Sequence, residues 1–154
     1  MSDMTARNEY ALITGASAGL GAEFARQLAA AGQNLILVAR REDRLSALAE
    51  ELRAAHKIDC QLIVADLNEP GAGAQISSTC VSSGWHVSWL VNNAGVGLAQ
   101  PGAPNGPEAI LATNLYGVKR VSEAFLPLID PSAGRIVNTS SGAASAFVKT
   151  QDAP

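Results

Sequence analysis

Short apolar runs alternate with helical patterns along the chain, and this alternation gives the first indication of its fold. Five runs are rich in Val, Ile, Leu and Ala, and they are short enough to be strands buried on both faces. These runs span residues 10–14, 35–39, 61–65, 87–91 and 135–139. Because a helical pattern separates each run from the next, the sequence predicts an α/β protein whose parallel sheet is covered on both faces.

Four segments carry apolar residues at the three- and four-residue spacing of a helix with one buried face. They lie between successive strands, at about residues 20–31, 45–55, 71–84 and 107–127. The first has its apolar stripe at Leu20, Phe24 and Leu28, and Gly32 is placed to cap its end. Pro107 suits the first turn of the last segment, which we predict to be one long helix.

Composition and charge narrow the class of protein. The chain has 154 residues, 47% of them hydrophobic and 16% charged, which is enough apolar material for one core. Its net charge of −3 gives no electrostatic reason to bind nucleic acid or an anionic membrane. No apolar run has the roughly 18–20 residues of a membrane span, and the polar N-terminus lacks the apolar stretch of a signal peptide. Cys60 and Cys80 lack metal or redox spacing, so we expect reduced, buried thiols in a cytoplasmic protein without a bound metal.

A glycine-rich loop follows the first predicted strand directly. The stretch Thr14-Gly15-Ala-Ser-Ala-Gly19-Leu-Gly21 leads from that strand into the first helix. Glycines let the backbone approach a pyrophosphate closely, and the helix N-terminus offers unpaired N–H groups and the positive end of its dipole. Glycines also make ordinary turns, but the order strand, loop and amphipathic helix favours a dinucleotide site.

The spacing G-x-x-x-G-x-G in TGASAGLG resembles that of the short-chain dehydrogenase/reductase family. Four further motifs follow in the family's order along nearly the whole chain. They are Asp66-Leu67 after the third strand, Asn92-Asn93-Ala94-Gly95 after the fourth, Asn114 in TNLYG, and GRIVNTSS in the fifth strand. The resemblance implies a Rossmann-type doubly wound parallel sheet and an oxidoreductase that moves hydride between a nicotinamide and a carbonyl or alcohol carbon.

The same resemblance implies which residues contact the dinucleotide. In the glycine loop and at the start of the helix they are Gly15, Ser17, Gly19, Leu20 and Gly21. After the third and fourth strands they are Asp66, Leu67, Asn93, Ala94 and Gly95, the first two matching the family's adenine contact.

The end of the second strand indicates which dinucleotide is preferred. An NAD enzyme usually has an acid there to hold the ribose 2′-OH, whereas this chain has Ala39 followed by Arg40 and Arg41. A guanidinium matches a 2′-phosphate in charge and in its forked donors, so we predict NADP rather than NAD. The alternative is that both arginines are solvated surface charges. Glu42 and Asp43 come later and are expected to begin the next helix.

Residue-by-residue matching gives Ser141 as the serine that holds the substrate oxygen and Asn114 as the asparagine of the family's proton relay. Either residue could instead have a purely structural role. The family's proton-transferring Tyr-x-x-x-Lys motif should follow the serine, and the 154 residues do not contain it. Both tyrosines, Tyr10 and Tyr116, lie upstream, and Tyr116 falls in the wrong helix.

We therefore expect residues 1–154 to be an incomplete Rossmann domain, the N-terminal part of a longer NADP-dependent reductase, truncated after strand five and inactive alone. The alternative is a non-catalytic dinucleotide-binding or interaction module that is complete at this length. An epimerase or dehydratase of the extended relatives is disfavoured because those usually show G-x-x-G-x-x-G. The expected partner is a small carbonyl or alcohol substrate. The resemblance also implies a homo-oligomer, because members of the family often pair their subunits.

Overall fold

The computed structural model describes residues 8–97 and 106–141. Its centre is one parallel sheet in the order β3-β2-β1-β4-β5. The strands are β1 Glu9–Thr14, β2 Asn34–Ala39, β3 Cys60–Val64, β4 His86–Asn92 and β5 Arg135–Asn138. The chain builds outward from β1 to β3 and then crosses back to β4 on the other side, which is the doubly wound topology. The predicted fold class is confirmed.

Helices cover the sheet on both faces, as the apolar strands require. They are α1 Gly19–Ala30, α2 Glu42–His56, α3 Ala72–Ser82, α4 Pro107–Leu111 and α5 Val118–Phe125. One core lies between the sheet and the pair α1 and α2, and a second lies between the sheet and the pair α3 and α5. Alternate residues of β1 and β2 therefore enter different cores, as Leu12 and Ile13 do.

The last predicted helix runs without a break from Pro107 to Phe125, as expected, but its hydrogen-bond register is not uniform. Between α4 and α5, residues Ala112–Gly117 form a π-helical segment. Apolar spacing alone cannot reveal this change, because it reports the buried face and not the hydrogen-bond register. Gly117 lies against β3's exit, where an added Cβ would be 3.1 Å from the Leu67 Cβ and 3.2 Å from the Leu67 oxygen.

The prediction of a buried fifth strand is also wrong for the part of the chain that the structure describes. Val137 is 40% exposed, and three of the four β5 residues are exposed. The reason is position: among the described strands, β5 pairs with β4 alone and lies at the edge of the sheet. Trp89 of β4, whose register partner is Arg135, is likewise 39% exposed.

Smaller expectations hold. Gly32 follows α1 with a φ of +81°, and Pro107 opens α4. Both cysteines are buried and free, and burial raises the pKa of each thiol to about 11. Among the described residues, no helix is long and apolar enough to cross a membrane.

Candidate cofactor site

A cavity of about 400 Å³ opens where the carboxyl ends of β1 and β4 separate. This is the point where the strand order reverses, and ligands of doubly wound sheets bind in that crevice. Segments that follow all five strands contribute to its wall. The lining residues are Gly15, Ser17, Ala18, Leu20, Val38, Ala39, Arg40, Arg41, Ala65, Asp66, Leu67, Asn93, Ala94, Gly95, Val96, Thr113 and Thr139.

The three glycines of the loop have different structural roles. Gly15 has a φ of +68°, and an added Cβ would lie 2.7 Å from the Ala94 Cα, so it allows the loop to touch the segment after β4. Gly21 is buried in α1, and a Cβ there would collide with the Gly15 carbonyl and lie 2.5 Å from the Asn93 Nδ2. Gly19 has a φ of +58° and nothing within 4 Å of an added Cβ. Gly15 and Gly21 are therefore needed for packing, whereas Gly19 borders open space.

The N-terminus of α1 is suited to an anion. Ala18 at the N-cap supplies no side-chain cap, and the first turn contains no acid. The first N–H groups of a helix have no partner within the helix, and the helix dipole places positive charge around them. The residues present therefore fit a pyrophosphate group.

Thr14 joins the loop to the neighbouring strand. It is 1% exposed, and its Oγ1 accepts hydrogen bonds from the backbone N–H groups of Asn93 at 3.1 Å and Ala94 at 3.0 Å. The hydroxyl donates to the Val91 oxygen at 3.5 Å. One side chain at the end of β1 thereby fixes the backbone that follows β4.

The side chains of two asparagines, Asn92 and Asn93, link the ends of β4 and β5 to their surroundings. The Asn93 Nδ2 donates to the Gly15 oxygen at 3.4 Å, and its Oδ1 accepts from the Thr139 hydroxyl at 3.3 Å. Asn92, on the other face, donates to Asn138 Oδ1 at 2.8 Å and to Ser122 Oγ at 2.9 Å. The glycine loop, the β4 exit and the β5 exit thus form one hydrogen-bonded unit.

Asn114 holds the loop that follows β4. Its Oδ1 accepts from the Val96 N–H at 2.8 Å, and its Nδ2 donates to the Val96 oxygen at 2.9 Å. Both bonds go to one backbone residue, as they would in a paired strand. The side chain therefore positions the wall of the cavity formed by Gly95 and Val96.

The two arginines lie on the β2 side of the cavity. Arg41 donates from Nη2 to the Ser17 Oγ at 3.3 Å, which holds its guanidinium beside the glycine loop. Arg40 lies 3.9 Å from the Asp66 carboxylate, and both side chains are solvent-accessible. Since an exposed ion pair of this kind contributes little, Arg40 can exchange that partner for an anionic ligand.

Ten of the twelve predicted cofactor residues line this one cavity. The other two are Gly19, which borders open space, and Gly21, which is buried in α1. The two predicted catalytic residues are not part of the lining. Asn114 supports it from outside, and Ser141 is exposed just after β5. Sequence reasoning assigned no role to Thr14, Val96, Thr113 or Thr139. Three of them lie within motifs noted in the sequence: Thr14 in TGASAGLG, Thr113 in TNLYG and Thr139 in GRIVNTSS.

Neither tyrosine approaches the cavity. Tyr10 is 2% exposed near the opposite end of the sheet, and its hydroxyl donates to Asp59 Oδ2 at 2.5 Å. Burial, together with the hydrogen bond and charge of Asp59, raises the pKa of Tyr10 to about 12. Tyr116 is 48% exposed on the π-helical segment, with the Arg120 guanidinium 5.8 Å from its ring centroid.

Comparison with known proteins agrees with this geometry. The family model described as short chain dehydrogenase matches residues 9–152. Dehydrogenase/reductase SDR family member 7B of Bos taurus is 35% identical over 144 residues, which are 88% of this chain and 44% of the relative. Sulfoacetaldehyde reductase 2 of Chromohalobacter salexigens is 39% identical over 140 residues, 87% of this chain and 55% of the relative. The chain thus spans about half the length of these relatives.

Solved structures show the same correspondence. A short-chain dehydrogenase from Sphingobium yanoikuyae in complex with NADPH is 32% identical, with a TM-score of 0.78 over 90% of this chain and 56% of that one. A metagenomic short-chain oxidoreductase in complex with NADP is 33% identical, with a TM-score of 0.77 over 87% of this chain and 62% of that one. With a family model matched over nearly its whole length, this chain belongs to the short-chain dehydrogenase family.

Proposed function

We propose that this chain binds NADP(H) and forms the dinucleotide-binding part of an oxidoreductase acting on a small carbonyl or alcohol substrate. One observation carries the proposal: Ser17 and Arg41 join the glycine loop to the basic end of β2 across a cavity at the switch point of the sheet. This arrangement offers N–H groups and a guanidinium side by side. Two phosphate groups of one dinucleotide need such a pair of neighbouring anion sites.

The glycine loop and α1 would hold the pyrophosphate. The open space beside Gly19 lets backbone N–H groups come close to it, because no side chain intervenes. The uncapped N-terminus of α1 adds donors and favourable dipole charge. Leu20, which is 62% exposed at the start of α1, offers an apolar surface to the ligand.

Arg40 and Arg41 would hold the 2′-phosphate of NADP(H). Ala39 is 8% exposed at the end of β2, so the position usually taken by an acid in NAD enzymes carries a methyl group instead. No carboxylate there repels a phosphate. The NADPH and NADP complexes among the structural neighbours support the same preference.

The nicotinamide half would lie on the β4 side of the cavity, against Asn93, Ala94 and Gly95. When bound, the cofactor supplies the hydride. The chain's own contribution is to hold the segment after β4 in place, through Thr14 at the end of β1 and Asn114 in the π-helical segment. Ser141 follows β5 at the same edge of the sheet and would hold the substrate oxygen.

The chain supplies no phenol to that side of the cavity. Tyr10 and Tyr116 are its two tyrosines, one committed to Asp59 and the other on the outer surface. A carbonyl oxygen gains a proton when hydride reaches its carbon, so turnover needs an acid that these residues do not provide. The proposal therefore separates cofactor binding, assigned to this chain, from reduction, which needs a Tyr-x-x-x-Lys motif.

Self-association is the remaining part of the proposal. Leu111, Leu115 and Tyr116 are each about half exposed on α4 and the π-helical segment. Exposed apolar groups on one helical region favour association, so we propose a homo-oligomer for the intact enzyme.

Isothermal titration calorimetry of the chain with NADPH and with NADH tests the proposal. We expect NADPH to bind more tightly by at least about tenfold, the effect of one charge-assisted contact. An Arg40→Gln, Arg41→Gln double variant should bind both cofactors alike. If the wild-type chain binds neither cofactor, dinucleotide binding is refuted; if it binds both equally, only the NADP preference is.

A further inference from the structure

A second cavity lies at the opposite end of the sheet from the cofactor cavity. Its volume is about 180 Å³, and it is bounded by the end of α3, the start of β4 and the end of α5. Its principal lining residues are Cys80, Trp85, His86, Val87, Phe125 and Leu128. The cofactor cavity is lined by residues that follow β4, so the two cavities are separated by the length of that strand, roughly 20 Å.

The floor of the second cavity is apolar and uncharged. Cys80, Val87 and Phe125 are at most 6% exposed. Burial raises the pKa of the Cys80 thiol to about 11, so that this group is neutral at pH 7. Among the described residues that line the cavity, none is Asp, Glu, Lys or Arg. An ion would lose its hydration there without gaining a counter-charge, so the cavity suits an uncharged ligand.

Backbone hydrogen bonds and ring packing hold the walls of the second cavity. After α3, the Trp85 N–H donates to the Cys80 oxygen at 2.9 Å. After α5, the Leu128 N–H donates to the Phe125 oxygen at 2.9 Å. The Trp85 ring also packs against the buried Tyr10 ring, with 6.0 Å between the ring centroids. A ligand would therefore not have to order these walls when it binds, which favours its affinity.

The volume and the lining side chains indicate the kind of molecule that fits. An apolar cavity of about 150 Å³ is large enough to bind benzene, and the second cavity is slightly larger. Trp85 and Phe125 offer offset or edge-to-face contacts to another ring. His86 lines the cavity and is itself exposed, so its imidazole lies at the mouth, where it can hydrogen-bond a hydroxyl group.

We propose that the second cavity binds a phenol, an uncharged single-ring molecule, with its ring against Trp85 and Phe125 and its hydroxyl on His86. The ring is removed from water, which favours binding, while the hydroxyl stays at the wet mouth of the cavity. Because this site is separate from the dinucleotide site, the inference goes beyond the proposed function and does not depend on it.

The probes that test this site are 4-fluorophenol and fluorobenzene, which differ only in the hydroxyl group. Fluorine NMR titration of the 154-residue chain should give 4-fluorophenol a dissociation constant on the order of 0.1–1 mM, within reach of so small a ligand. Fluorobenzene should bind about fivefold more weakly, the effect of one neutral hydrogen bond. His86→Leu removes that bond and should bring the two affinities within about twofold of each other.

Leu128→Trp and Leu126→Trp are the matched pair that tests the location. Both leucines are exposed after α5, but of the two Leu128 alone lines the cavity. Leu128→Trp should fill the mouth and weaken both probes by at least about tenfold, whereas Leu126→Trp should bind them as the wild type does. Both variants change exposed positions and should melt close to the wild-type temperature.

Three results would overturn the proposal. The first is the absence of saturable binding of 4-fluorophenol by the wild type, or equal losses in the two tryptophan variants. The second is equal binding of the two probes by the wild type, which would remove the hydroxyl contact with His86. The third is loss of probe binding as the chain associates at higher concentration, which would assign the cavity to a second copy of the chain.

Discussion

Gly19 gives the sharpest test of the cofactor site, because its surroundings separate a ligand effect from a folding effect. An added side chain at Gly19 meets no protein atom within 4 Å, so Gly19→Val leaves the core undisturbed. It places an isopropyl group where a pyrophosphate would approach. It also puts a β-branched residue at a φ of +58°, which strains the backbone.

Gly32→Val is the matched control. Gly32 has a φ of +81° and likewise nothing within 4 Å of an added Cβ, but it follows α1 at the end away from the loop. The left-handed conformation costs an ordinary residue about 1–2 kcal/mol. For a domain of this size, that lowers the melting temperature by about 2–8 °C in either variant.

The two variants should differ in binding. Loss of two charge-assisted hydrogen bonds to a phosphate corresponds to at least about a hundredfold weaker binding of NADPH by Gly19→Val. Gly32→Val should retain the wild-type dissociation constant. Calorimetric titration and thermal unfolding of both proteins measure the two effects independently. Wild-type affinity in Gly19→Val, or an equal loss in Gly32→Val, would refute the reasoning that the loop holds a pyrophosphate.

Four further outcomes are expected. Thr14→Val leaves two backbone N–H groups without an acceptor and should lower the unfolding free energy by about 2–5 kcal/mol. Thr14→Ser keeps the oxygen and should lower it by about 1 kcal/mol. Denaturant titrations measure both values, and equal losses in the two variants would contradict this role of Thr14. Ala39→Asp with Arg40→Gln should reverse the preference of the chain from NADPH to NADH in paired titrations, because the phosphate loses a cation and meets an anion; an unchanged NADPH preference would argue against an arginine site. The Tyr10 pKa of about 12 lies above its unfolded value of 10.0, so the protonated phenol stabilises the fold fully below pH 10. As the pH rises toward 12, the unfolding free energy should fall by about 2–3 kcal/mol. Tyr10→Phe should remove this part of the pH dependence, and an alkaline profile identical to that of the wild type would contradict the reasoning. Finally, the 154-residue polypeptide should bind NADPH without oxidising it in the presence of ketones or aldehydes, as followed by nicotinamide absorbance, and robust turnover would overturn the assignment of proton transfer to an absent phenol.

The sequence by itself determined the elements and their class. Apolar runs of strand length and helical spacing are local properties, so the five strands and the doubly wound parallel sheet could be predicted. The glycine loop, the arginines after β2 and the asparagine after β4 were also readable, because residues after parallel strands meet at one edge. Ten predicted cofactor residues accordingly line one cavity.

The buried face of α1 required the tertiary structure. Phe24 and Leu28 of the predicted apolar stripe are partly buried against the core, but Leu20 is exposed. The buried residues of the helix are the smaller Gly21, Ala22, Ala25 and Ala29. Small residues let α1 approach the sheet closely, and Leu20 is left at the rim of the cavity. Side-chain size decides this contact, whereas hydrophobic spacing reports only periodicity.

The long-range hydrogen bonds of the site could not be predicted from the sequence either. Thr14 meets Asn93 and Ala94 about eighty residues later, and Asn114 meets Val96 across a change of element. The π-helical register and the exposure of β5 likewise depend on which neighbours are present and not on local preference. The sequence therefore identified the site's main residues, and the tertiary structure decided which of them line the cavity and which hold the others in position.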